Sequence, residues 1–302
     1  MTGRPPPRPY PSLLFRRVRA LILLAVLVAL VSTGVHLVRG GPDDAGAAPV
    51  PAPVPTTAEA PPPTPEQTLD AAVRSGQSGK GRLALAVTDL STGSSASYGA
   101  TSHPFATASI VKVDILATLL LQRDGKLTAT QRSQARAMIQ QSSNGAASAL
   151  WKAIGREKGL DTANATFGLV QTKGGTRGRW GATTTTTADQ LRLLRVVFTD
   201  DSPLDADARR YLTSLMGHVA ADQDWGVTAA AAQDGGGGGK AYVKNGWLPR
   251  SGGWVVNSIG SVQRGGHTLL MVALSDGGKS QQRGIAALEL VSANAARVVS
   301  GV

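Results

Sequence analysis

The chain has 302 residues, no cysteine, only 4% aromatic residues and a formal net charge of +11. Without cysteine there is no disulfide framework, no Cys-ligated zinc and no thiol nucleophile. The charge belongs largely to the folded part, with 25 Lys and Arg against 16 Asp and Glu after Glu66, but it is scattered and not interleaved with aromatics, which argues against a nucleic-acid partner; it suits solubility, or attraction of anionic wall polymers and carboxylate substrates.

Residues 1–19 form a short basic tail. Leu21 to Val38 is an apolar run of 18 residues, preceded by Arg16, Arg17 and Arg19. Its length predicts a transmembrane signal-anchor over 20–39, and the arginines predict a cytoplasmic N-terminus with the rest of the chain exported. Ala45-Gly46-Ala47 has the small-x-small pattern of a signal-peptide cleavage site, and cleavage there would give a secreted protein. Residues 40–66 are Pro- and Ala-rich, a semi-extended linker that holds a domain over 67–302 away from the membrane.

The folded region is expected to open with a helix, Pro65 to Ser75, followed by a hairpin of Leu83 to Asp89 and Ser95 to Tyr98 around a turn ending at Gly93. Helical patterns follow at Ser109 to Gln122, Thr130 to Gln141, Gly145 to Ile154, Thr187 to Phe198 and Asp207 to Val219. Strand-like runs come next at Ala241 to Trp247, Gly253 to Val262 and His267 to Ser275, then an amphipathic helix at Gln281 to Val299. This order predicts an α/β (α+β) fold: one antiparallel sheet assembled from both ends of the chain, with a helical insert between.

Ser109 stands near a predicted helix start with Lys112 one turn on, facing the same side. Backbone N–H groups there can stabilise charge developing on a carbonyl oxygen, and a neutral lysine can accept the serine proton. Alone, S-x-x-K is also the pattern of an N-cap serine followed by a solvated lysine. Two further motifs give it context: Ser142-Ser143-Asn144 opens a helix, and Lys244-Asn245-Gly246-Trp247 lies on a strand followed by another strand. The look-alikes Lys173-Gly174-Gly175 and Ser292-Ala293-Asn294 are set aside, the first because it lies in a loop, the second because it falls out of order. The four histidines, at 36, 103, 218 and 267, have no metal-ligand spacing, and no cofactor is implied.

In this order S-x-x-K, S-x-N and K-x-G resemble the three motifs of the penicillin-recognising serine hydrolases, class A β-lactamases and penicillin-binding proteins. The resemblance implies a β-lactamase-like fold with a five-stranded antiparallel sheet flanked by N- and C-terminal helices, plus an all-helical subdomain. It further implies that Ser109 is acylated, Lys112 takes its proton and Ser142 relays a proton to the leaving nitrogen. Asn144, Lys244, Asn245, Gly246 and Trp247 would bind substrate, a β-lactam or a peptidoglycan-peptide-like chain, with the N–H groups of Ser109 and Trp247 as oxyanion hole. Three departures stand out. Ser143 replaces the usual Asp, Asn245 the usual Thr or Ser, and Phe167 to Trp180 contains no acidic residue where class A β-lactamases carry the deacylating Glu. Glu157 and Asp161 are expected to be surface residues. Slow β-lactam turnover is the expectation that follows, with a non-catalytic wall-binding or sensor domain as the alternative.

Overall fold

The computed structural model describes residues 62–74, 81–232 and 239–301. The expected basic tail (1–19), signal-anchor (20–39) and all but the end of the linker lie outside the described residues. Among those described, no helix is long and apolar enough to cross a membrane.

In chain order the elements are α1 (Pro65–Arg74), β1 (Arg82–Asp89), β2 (Ser95–Gly99), β3 (Phe105–Ala106), a 3-10 turn at Ala108–Ile110, α2 (Val111–Gln122), α3 (Ala129–Gln140), α4 (Asn144–Ala153) and α5 (Arg156–Phe167). Then come β4 (Thr184–Thr185), α6 (Thr187–Phe198), α7 (Ala206–Met216), 3-10 turns at Ala221–Gln223 and Gly226–Ala231, β5 (Ala241–Arg250), β6 (Gly253–Arg264), β7 (His267–Gly278) and α8 (Gln281–Ser300). The five long strands form one antiparallel sheet in the order β2-β1-β7-β6-β5. This is the sheet predicted from both ends of the chain.

Alternation of side chains sorts the sheet onto two cores. Leu269, Met271 and Ala273 of β7, with Val243 of β5, pack towards α1 and α8. Leu270, Val272 and Leu274, with Ile259 of β6, pack towards the helical insert. Covering both faces explains why β1 reads as an almost unbroken apolar run. At the centre of the insert, α2 buries every residue from Val111 to Leu120. A helix apolar nearly all round belongs inside, so its two charged residues, Lys112 and Asp114, are carried into the interior with it.

The strands of the last hairpins run further than predicted, and two features are new. Helix α5 lacks a clear apolar stripe, since Gly155 precedes it, Gly159 interrupts it and only Leu160, Ala163, Asn164 and Phe167 are buried. The two-residue ladder of β3 with β4 is too short for any periodicity to reveal. That ladder matters because Thr107 N also donates to Thr183 O at 2.8 Å, stitching the segment before Ser109 to the one after the long loop.

Candidate active site

Strand parity decides which residues of K-x-G reach the helical insert. Val243 faces α8, so Lys244 and Gly246 face the insert, while Asn245 and Trp247 turn back towards α8. Lys244 is buried, and its Nζ donates to Ser142 Oγ at 3.0 Å and to the Asn245 carbonyl at 2.9 Å. Lys112, wholly buried on α2, donates to the same Ser142 Oγ at 3.0 Å, to the Ser142 carbonyl at 2.7 Å and to Asn144 Oδ1 at 2.9 Å. Lysines from α2 and β5 therefore meet at one hydroxyl, that of Ser142 in the α3–α4 turn, and Asn144 at the start of α4 joins them through Lys112.

The chemistry of that meeting follows from donor counting. A serine oxygen has two lone pairs and one proton. Both lysine nitrogens lie at Ser142 Oγ, so an ammonium there donates to a lone pair of the hydroxyl and a neutral amine can accept its proton. Asn144 is exposed and spends its oxygen on Lys112; among the described residues its Nδ2 has no partner, so it is free to donate to a ligand. Burial drives the lysines towards the neutral form: Lys112 is pushed down to about 7 by desolvation, and Lys244 to about 7 by desolvation and then by the charge on Lys112. A lysine pair that disfavours double protonation supplies a proton acceptor near neutral pH.

Ser109 sits half-buried in the 3-10 turn that opens α2. Among the described residues its hydroxyl has no hydrogen-bond partner, and the three donors of Lys112 are spent on Ser142 and Asn144. The residue before it, Ala108, holds φ +48°, and Ser142 holds φ +53°. Left-handed backbone at non-glycine residues costs about 1–3 kcal/mol each and persists only where the surroundings enforce it. Gly246 shows one such constraint: a Cβ there would lie 2.6 Å from Ser109 N and 2.8 Å from Ile110 N. Strand β5 thus passes the serine turn at a distance only glycine permits.

Strand β5 is an edge strand. A residue's N–H and C=O leave a strand on the same side, and sides alternate. Because the Asn245 carbonyl is free to accept from Lys244, Trp247, two residues on, turns its N–H to that same free edge. Its indole packs on Trp225 with ring centroids 5.9 Å apart, on the α8 side.

Two departures from the family pattern acquire physical meanings. Ser143 caps α4, accepting from Ala146 N at 3.3 Å, a role that Ser and Asp share. The assignment of Asn245 to substrate binding is corrected. Its side chain lies on the sheet face away from Ser142, only 1% exposed, and its Nδ2 donates to the Gln223 and Trp225 carbonyls at 2.8 and 3.0 Å.

The long loop before β4 closes against this site with an aromatic residue. The Trp180 ring lies 4.9 Å from Lys112 Nζ, its indole nitrogen donates to Ser148 Oγ at 3.2 Å, and the backbone at Gly181 approaches Ala108. Of the nearby acids, Asp161 is exposed and accepts from Gly174 N at 2.8 Å, so it holds the loop. Glu157 is only half-buried, yet its Oε2 is enclosed. Asp114, two residues past Lys112, is the acid that sequence reading passed over. Burial pushes it up to about 7, and it accepts from Asn164 Nδ2 at 3.2 Å. Asn257, 0% exposed on β6, was also missed; nothing in its local pattern distinguishes it from a strand residue. Among the described residues there is no cluster of acidic or histidine side chains fit to hold a metal. A cavity of about 260 Å³ between the end of α7 and β5, lined by Met216, Asp224 and Val243, contains none of the motif residues.

No protein-family model matches the chain, and no curated protein sequence does. Solved structures do. A β-lactamase from Xanthomonas campestris is 22% identical with a TM-score of 0.63, over 79% of this chain and 99% of that one. PBP-A is 18% identical with a TM-score of 0.66, over 80% and 99%. A class A β-lactamase from Bacteroides cellulosilyticus is 14% identical with a TM-score of 0.67, over 80% and 100%. The fold of this chain is the one shared by these β-lactamases and PBP-A.

Proposed function

We propose that the domain is an extracytoplasmic serine hydrolase, tethered by the apolar segment at 20–39, that forms an acyl-enzyme on Ser109 with a β-lactam or a cell-wall peptide. The observation that carries this reading is the convergence of Lys112 and Lys244 on Ser142 Oγ, with Asn144 accepting from Lys112. Ser109 Oγ attacks the carbonyl carbon as Lys112, in its neutral form, takes the proton. The N–H groups of Ser109 and Trp247 receive the oxyanion. Ser142 passes its proton to the leaving nitrogen and is reprotonated from the lysine pair. Lys244 attracts the substrate carboxylate, whose charge in turn favours the lysine's protonated form. A PBP-A mutant has been solved as an acyl-enzyme with penicillin G, which supports the same chemical class here.

Deacylation is the weak step. Trp180, not a carboxylate, covers Lys112, and among the described residues no acid is hydrogen-bonded to the lysine to activate a water there. With a penicillin in excess, a burst of one equivalent of ring opening followed by turnover at least about 100-fold slower is expected, the loss that follows from lacking a general base. Sustained rapid hydrolysis would contradict the slow-turnover reading. The spent donors of Lys112 favour a second reading, a non-catalytic wall-binding domain; absence of any burst selects it.

A further inference from the structure

We propose that Asn257, on β6, is a positioning residue that holds the Ser109 turn at its working distance from the edge of β5. The inference rests on the reading of Ser109 as the acylated serine. Asn257 pairs directly with Gly246 in the β5–β6 ladder. By strand parity its side chain faces the helical insert, the side on which Gly246 meets the serine turn. Its Nδ2 donates to the Ala106 carbonyl at 2.8 Å and to the Thr107 carbonyl at 3.0 Å, and its Oδ1 accepts from Ser275 N at 3.1 Å. One fully buried amide thus joins β6 and β7 to the two residues before the strained Ala108.

The arrangement solves a particular problem. The close approach at Gly246 sets how near the turn can come to β5, but a steric stop cannot pull. Asn257 supplies the pull, because both its donors end on carbonyls immediately ahead of Ala108. Ser109 N and Trp247 N can then be held at a fixed separation, which preorganised stabilisation of an oxyanion requires. The residue acts through the turn, and its side-chain hydrogen bonds among the described residues reach neither Lys112 nor Ser142. It should therefore affect the acylation rate constant and not the protonation of the base.

The test uses the full-length protein with Asn257→Ala and Asn257→Asp. The aspartate keeps the volume and the acceptor for Ser275 N, but its carboxylate offers no donor. Both variants are expected to acylate with penicillin about 10- to 100-fold more slowly per folded molecule, with non-covalent affinity changed less than about threefold and the pH midpoint of acylation unmoved. A native rate constant in either variant overturns the proposal, as does a loss confined to affinity or folded yield. Amide hydrogen exchange of residues 107–111 gives a readout independent of reactivity. At least about tenfold faster exchange there in Asn257→Ala, with β1 unchanged, is expected on loss of the tether, and unchanged exchange overturns it. If native protein fails to react at all, the acylation reading falls, and the exchange result still decides whether Asn257 holds the turn.

Discussion

Lys112→Met should slow acylation of Ser109 by roughly 10²- to 10⁴-fold, the usual contribution of a general base, while leaving the fold in place. Methionine fills a similar volume and removing a buried amine relieves a desolvation cost, but three hydrogen bonds are lost with it, so the rate is read per folded molecule. In the native protein the acylation rate should rise with pH through about 7 and level off above it. The sign follows from burial: Lys112 is shifted down from 10.5 to about 7, and only the neutral amine can take the serine proton. Single-turnover kinetics with a chromogenic cephalosporin across this range reads both effects. In Lys112→Met the pH-dependent limb should vanish; a native rate or a surviving limb would assign the proton transfer to another group.

Gly246→Ala should be nearly as damaging, for a purely geometric reason. The added methyl would meet three backbone atoms, Ser109 N at 2.6 Å, Ile110 N at 2.8 Å and the Thr107 oxygen at 2.9 Å. No flexible side chain can yield, so β5 and the serine turn must separate. Displacement of this order costs about 100-fold in rate where reacting groups are held in register, and overpacking lowers stability by about 1–3 kcal/mol. Thermal unfolding and the same acylation assay measure the pair. Retention of both native rate and native stability would show that the approach of β5 to Ser109 is not required.

The fold was legible because both of its layers leave periodic traces. Strand-like runs rich in apolar residues marked β6 and β7, the K-x-G stretch marked β5, and the amphipathic pattern of α8 marked the covering helix. Helix α5 was not legible, since glycines and short side chains leave it without a stripe. At the site, the three motifs carried the residues that converge on Ser142 but could not say which way each side chain points. Parity separates Lys244 from Asn245, and parity depends on the register that the sheet adopts. Asn257 was invisible for a related reason: its partners, Ala106 and Thr107, lie some 150 positions earlier, and backbone carbonyls have no sequence signature. The acid-free loop was read correctly as lacking a glutamate, but Trp180 over Lys112 became apparent only once the loop had been folded back.

Intact-mass analysis of the native protein and of Ser109→Ala after incubation with benzylpenicillin tests the central claim most directly. The account predicts one covalent penicilloyl adduct on native protein, mapped by peptide sequencing to Ser109, and none on the alanine variant. An adduct on Ser142 or elsewhere, or equal labelling of the two proteins, would contradict it.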